Sequence, residues 1–321
     1  MAQESALTPQ EVADLLKITK NTVYQLIKRG ELNSYKVGKK IRIDMSDVEA
    51  YKNKDRVKEV SKASVAENQI FQQLAQDSFN YQNRNNEDAL VICGQDICLD
   101  ILSRYLEIHP QGARSLRSYV GSYAGLYELY NGNAQVATVH LWDAESDSYN
   151  VPYVKYMLPA TGAVIVHLAK RNQGFYVKEG NPKKIYKWQD IARRDVALIN
   201  REKGSGSRVL LDQHLKKLGI DGREINGYNR ESVSHLAVAS TIARGGADVG
   251  IGNEKAAQQV KGIDFVFLQE ERYELVFKKE DMQKPPFQAI LSILNSEEFR
   301  LELQGIGGYD LSELGSITAL T

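Results

Sequence analysis

The chain has 321 residues, and its 41 Lys and Arg are balanced by 41 Asp and Glu. This length exceeds one average domain, and the composition is that of an ordinary water-soluble protein with no apolar run long enough to cross a bilayer. The opening Met1-Ala2-Gln3-Glu4-Ser5 carries neither a positive segment nor an apolar core, so no secretory signal is expected and the product is placed in the cytoplasm, away from membranes.

Thr8, Pro9 and Glu11 combine a capping box with proline at the first helical position, which predicts a short helix through Leu16 with Val12, Leu15 and Leu16 as its apolar stripe. Thr19 caps a second helix in which Val23, Leu26 and Ile27 recur at helical spacing, and Gly30 stands where a left-handed terminating residue is wanted. Two short helices around a tight turn make a helix-turn-helix. With its apolar residues inward, the second helix presents Lys20, Asn21, Thr22, Tyr24, Gln25 and Lys28, groups suited to base edges and phosphates. The next stretch alternates around a turn at Gly38-Lys39: Tyr35, Val37, Ile41 and Ile43 are expected on one face, Lys36, Lys40 and Arg42 on the other. It reads as a basic wing. From Lys17 to Arg42 eight basic residues, Lys39 among them, are opposed only by Glu31, the electrostatic footprint of a phosphate partner. Ser46 and Glu49 form a second capping box that opens a third helix.

The segments Leu7–Ala13, Thr22–Leu32 and Val37–Ile43 resemble the excisionase group of winged helix-turn-helix domains, related to mercury-responsive-type regulators. The resemblance implies double-stranded operator DNA as partner and sets the first domain at residues 1–54. Residues 55–88, polar with sparse apolar positions, are expected to be a partly helical linker, either a solvated tether or a pairing segment for a second chain.

From Ala89 short apolar runs alternate with helical patterns, as in an α/β domain over residues 89–321; strand candidates are 89–93, 134–140, 163–168 and 196–200. Several give way to small or polar residues that open a helix: Gly94-Gln95-Asp96, Gly121-Ser122-Tyr123, Gly204-Ser205-Gly206-Ser207, Glu231-Ser232 and Gly252-Asn253. Helix N-termini that converge on a cleft can bind an anion through backbone N–H groups. Each turn alone is weak evidence, and Gly204–Ser207 fits neither a phosphate-loop nor a dinucleotide pattern.

Together with 200–212, 235–239, 246–252 and Gly307-Gly308-Tyr309-Asp310, these turns resemble the bacterial periplasmic-binding-protein-like domain found fused to helix-turn-helix modules and to molybdenum-cofactor proteins. The resemblance implies an α/β type II fold, with one lobe at about 89–170 plus the C-terminal segment and the other at about 172–267. It also implies that Gln95, Ser122, Ser205, Ser207, Ser232 and Asn253 ligate an oxyanion such as molybdate or tungstate, with Gly206 in the same turn. Gln95 departs from a hydroxyl donor, and Asp96 repels an anion unless it turns away, so a larger organic acid or mixed-charge metabolite stays open, beside a small organic acid as the alternative ligand. His140 either donates to the ligand or satisfies a backbone carbonyl. Tyr123 and Trp142 are either a wall or core; Arg208 is either the pocket's cation or a salt bridge to Asp212.

Cys93 and Cys98 are too few for a disulfide framework or a four-thiolate zinc site and read as packing residues. No histidine pair has metal-ligand spacing and no nucleophile elbow is present, so neither metal, cofactor nor catalysis is expected. The expected function is a homodimeric, one-component regulator that reads operator DNA and senses a small anion. A molybdenum-cofactor accessory protein and an architectural excisionase are the alternatives.

Overall fold

The computed structural model describes residues 6–38, 40–49, 51 and 89–321, so the expected linker at 55–88 and Lys39 lie outside the described residues. The chain divides into two compact units, Met1–Asn85 and Asn86–Thr321. Among the described residues no helix is long and apolar enough to cross a membrane.

The first unit begins with α1 (Pro9–Leu16) and α2 (Lys20–Lys28). Thr8 caps α1 reciprocally with Glu11: the Thr8 amide donates to Glu11 Oε2 at 2.7 Å, and the Glu11 amide to Thr8 Oγ1 at 3.3 Å. These bonds hold the exposed Glu11 carboxyl below its usual range. Lys17 adopts φ 55° and turns the chain into α2, while Gly30, at φ 72°, lets it leave. Val12, Ala13, Val23, Leu26, Leu32, Ile43 and Val48 form the core.

The wing strands β1 (Tyr35–Val37) and β2 (Lys40–Arg42) pair Tyr35 with Arg42, Lys36 with Ile41 and Val37 with Lys40. This register corrects the expected faces. A two-residue turn puts Tyr35 and Val37 on the side of Lys40 and Arg42, and leaves Lys36 with Ile41. The third helix, α3 (residues 45–49), starts after Asp44, whose carbonyl accepts from the Val48 amide, so Ser46 lies within it and its box with Glu49 is not the cap.

The second unit opens with β3 (Leu90–Cys93), α4 (Cys98–Ile108), β4 (Ser115–Ser118), α5 (Ser122–Asn131) and β5 (Val136–Val139). A small hairpin, β6 (Trp142–Asp143) and β7 (Ser148–Tyr149), leads to α6 (Val151–Met157) and the long β8 (Ala163–Lys178). Then follow β9 (Asn200–Arg201), α7 (Gly206–Leu218), β10 (Glu231–Ser232), α8 (His235–Ala243), β11 (Val249–Asn253) and α9 (Glu254–Ala257). A second long strand, β12 (Ile263–Lys278), precedes α10 (Pro285–Leu294), α11 (Glu297–Ile306) and β13 (Ile317–Leu320).

One sheet, ordered β11-β8-β12-β5-β3-β4 with β13 also on β8, spans the unit. Its organising element is the antiparallel pair β8–β12, 16 residues each, roughly 50 Å of extended chain. Val164, Val166 and Leu168 enter one apolar core with α4, α10 and α11; beyond Arg171, Phe175 and Val177 enter a second core and Tyr176 a third. Two strands that serve separate cores are the crossing strands of a two-lobed fold. Between the cores the strands turn polar, where Arg171 pairs with Glu271, Asn172 with Glu270 and Gln173 with Gln269.

Two expectations shift. The strand expected over 163–168 runs on to Lys178, because its polar middle finds partners on β12. The strand expected over 196–200 shrinks to a bridge at Leu198 and the two residues of β9. The hairpin 142–149 also crosses over: Trp142 joins the core beneath α7, and His214 of α7 is sandwiched between Trp142 and Trp188, at 4.4 and 4.1 Å.

Candidate functional site

In the first unit, Lys20, Asn21, Thr22, Tyr24, Gln25 and Lys28 are all exposed on α2, opposite buried Val23 and Leu26. The Thr22 hydroxyl bonds to Thr19 Oγ1 at 2.8 Å across the first turn. On the wing, Lys36 and Lys40 are exposed and Arg42 is half-buried. Tyr35 and Val37 share the Lys40–Arg42 side, so that face mixes two cations with an aromatic and an aliphatic group.

In the second unit the lobes meet over a cavity of about 40 Å³. Its wall brings together Gln95, Asp96, Ser122, His140, Ser205, Gly206 and Asn253, the openings of helices from both lobes. Tyr123, Ser207, Arg208 and Ser232 do not line it. The Tyr123 ring turns out to meet Tyr153, although its amide donates to Gly204 O at 3.0 Å and ties the lobes together. Ser207 is buried beside Gln173, and the Ser232 carbonyl accepts from Arg201 Nε. Arg208 is held by Asp212 at 3.1 Å and Glu231 at 3.3 Å and lies over the Tyr228 ring, which makes it a structural cation. Trp142 is core, not wall.

Some lining side chains are already committed. Ser205 Oγ caps α7 by accepting from the Arg208 amide and donates to Glu202 O at 2.9 Å, so the turn offers a ligand backbone rather than hydroxyl. Asn253 Oδ1 caps α9. Ser122 Oγ accepts from the His140 amide at 3.3 Å, which leaves its proton to be directed elsewhere. Gly206 is required by close approach: a Cβ there would sit 2.4 Å from the His140 ring.

The floor is ionic. Arg171, projecting from β8, donates to Asp96 Oδ2 at 2.6 Å, pairs with Glu271 Oε1 at 2.5 Å and lies 3.8 Å over the Tyr273 ring. Asp96 also accepts from the Tyr309 hydroxyl and from the Cys98 amide at 2.9 Å. The carboxylate is thus turned into protein donors. Burial alone would raise the Asp96 carboxyl, but Arg171, Tyr309 and Cys98 together hold it below its ordinary range. Glu271 follows the same balance: burial opposes its charge, while Arg171, His140 (Nδ1 at 2.6 Å) and Gln173 (Nε2 at 2.7 Å) keep its carboxyl low.

Arg201 closes the rim, donating to Gln95 Oε1 at 2.8 Å across the lobes and pairing with Glu202 at 2.7 Å. His235, the first residue of α8, is held neutral by burial, reinforced by Arg201, and its Nδ1 is buried without a partner. Arg171 Nε is also buried and unpartnered. Formally, two carboxylates outweigh one guanidinium in the floor, so any anion must be held by directed donors rather than net charge. Arg171, Arg201, His235 and Glu271 were not singled out from the sequence. The signal for Arg171 was a polar run, Lys170 to Gln173, between two apolar segments, and Arg201 stood in a segment already marked by its neighbours. Among the described residues no group of three or more His, Cys, Asp or Glu is placed to hold a metal ion.

The PBP superfamily domain family matches residues 103–295, more than half of the chain, and a helix-turn-helix domain family matches residues 6–56. YvgK of Bacillus subtilis (strain 168), an uncharacterized protein, is 40% identical over 317 residues, covering 99% of each chain. Among solved structures, a Clostridium perfringens substrate-binding protein with bound phosphate aligns with TM-score 0.51 at 15% identity, covering 69% of this chain and 98% of its own. PhnD1 of Prochlorococcus marinus in complex with methylphosphonate gives TM-score 0.51 at 14% identity, covering 72% and 96%. At such identities these two speak for the fold alone. Crossing strands, a two-lobed sheet and a separate capped helix pair meet in these matches: the chain belongs to the PBP superfamily domain family and carries a helix-turn-helix domain at its head.

Proposed function

We propose that the protein is a homodimeric transcription regulator in which a compact oxyanion, molybdate or tungstate first among the candidates, occupies the interlobe cavity and alters operator affinity. A helix-turn-helix joined to a ligand-binding domain of this family has the composition of a ligand-responsive DNA-binding protein. The oxyanion reading rests on Arg171, whose buried Nε lacks an acceptor beside a cavity into which the openings of α5, α7 and α8 also face. An orphaned buried N–H costs roughly 1–3 kcal/mol, which a ligand oxygen would recover only where the floor opens to admit it. The cavity, about 40 Å³, exceeds the roughly 10–15 Å³ that one water requires and suits a few oxygen-sized atoms. Ligand that bridges the lobes binds the closed state better than the open one, the differential affinity that a switch requires. An inverted repeat is the expected operator.

Calorimetry of the full chain against molybdate, tungstate, sulfate, phosphate and a panel of small carboxylates tests the reading. Ser122→Asp, which sets a carboxylate in the wall, should abolish oxyanion binding without loss of DNA binding. Ser205→Asp should do the same while keeping its helix capped, since aspartate caps as well as serine. Binding of a carboxylate alone would move the assignment to an organic acid. Binding of a cation or neutral compound, untouched by Ser122→Asp, would overturn it.

A further inference from the structure

The helix that opens at the cavity carries a second surface on its outer side. Of α5, Gly125, Leu126 and Leu129 are buried against the sheet, while Tyr123, Tyr127 and Tyr130, spaced i, i+4, i+7, stand 36%, 60% and 47% exposed. The Tyr123 ring meets Tyr153 of α6 edge-on at 5.7 Å, and Tyr156, three residues on along the same side of α6, is 84% exposed. Tyrosine is the residue type that interfaces concentrate, because it buries a large apolar ring and keeps a polar tip. Three such rings on one helix and a fourth on the next are not a scattered exposure.

We propose that this tyrosine face is the self-association surface of the receptor unit, with α5 of one copy packed on α5 of a second about a two-fold axis. Charge selects the occupant. A two-fold contact sets a patch against its own image, so fixed charge near the axis repels itself, and an uncharged patch does not. The sole charge on α5 is Glu128, which accepts from Asn133 Nδ2 at 2.8 Å; Lys155 is the one cation on α6. A partner of opposite charge finds little here to recognise. Area agrees: at roughly 150–250 Å² per ring, the four tyrosines present on the order of 500 Å², much of the roughly 800 Å² that each partner contributes to a standard interface. Because the same helix lines the cavity through Ser122 and binds the other lobe through the Tyr123 amide, the contact would feel lobe closure directly.

Sedimentation velocity of the full chain over a concentration series, with Tyr127→Glu/Tyr130→Glu, Tyr127→Phe/Tyr130→Phe and Tyr186→Glu, tests the surface. The paired glutamates should weaken dimerisation by roughly 30-fold or more, the scale of losing one aromatic hot spot. The phenylalanine pair and Tyr186→Glu, an exposed tyrosine on the other lobe, should remain dimeric. Circular dichroism should be unchanged throughout, since both substituted tyrosines are exposed. A monomeric wild type, an unweakened glutamate variant, or equal weakening by Tyr186→Glu would each overturn the proposal.

Discussion

Replacing Arg171 with methionine removes the one cation between two buried carboxylates. The guanidinium is 4% exposed, Asp96 is 7% and Glu271 1%, so solvent cannot compensate its loss. Breaking a buried ion pair by deleting one partner costs about 3–5 kcal/mol. In a unit of this size that corresponds to a melting-temperature drop of roughly 6–20 °C at neutral pH. The sign of the pH dependence should also reverse. In the native protein both carboxyls lie below their ordinary range, so their contribution is complete above about pH 4.5 and is lost as pH falls below it. Without Arg171, burial dominates, both pKa values rise above the unfolded ones, and stability declines as pH increases from about 4 toward neutrality. Urea denaturation at acidic and neutral pH measures both effects. The gap between variant and native protein should be widest at neutral pH and narrow in acid, and adding Glu271→Gln should recover part of it. A variant as stable as the native protein at neutral pH, or a gap that is constant with pH, would refute the reasoning.

Gly206→Ala drives a methyl group into the His140 ring, contact at 2.4 Å, and should cost about 1–3 kcal/mol by chemical denaturation, with weakened ligand binding. Ser205→Ala loses the cap of α7 and should destabilise the receptor unit by about 1 kcal/mol, while calorimetric affinity for ligand stays within experimental scatter. Asn21→Ala or Gln25→Ala should relax base preference at a cost of about 1–3 kcal/mol, whereas Lys40→Ala should weaken all sequences alike and reduce the salt slope by about one; binding titrations at several salt concentrations separate the two.

The helix-turn-helix is legible because its signals are local. Thr8, Thr19 and Gly30 act within a few residues of where they stand, and the caps and exit form there. The wing faces were misassigned because alternation along one strand does not say which residues oppose it on the other; the turn length does, and it sets Val37 against Lys40. The helix openings at Gly121, Ser205 and Asn253 are equally local, hence readable, whereas Glu231-Ser232, expected to open a helix, pairs with β9 as β10 and leaves the cap of α8 to Ser234. What escapes is the ionic floor. Arg171 and Glu271 lie a hundred residues apart and become neighbours only when two long strands cross, and a charged run inside an apolar segment reads as a loop until its partner strand is known. Arg208 shows the converse, since its helical neighbour Asp212 was visible and does hold it.

The tryptophan stack has a practical consequence. The chain has two tryptophans, and both rings lie on His214, one above and one below. Burial keeps that imidazole's pKa below its ordinary value, and its Nε2 meets Gln269 of the crossing strand at 2.8 Å. Trp142 follows His140, on the cavity wall, by two residues, so displacement of that wall pulls on one slice of the sandwich. All indole emission therefore originates in a single assembly, two residues along the chain from the cavity wall. Lobe movement that shifts this stack should register in intrinsic fluorescence, read without a label and without DNA.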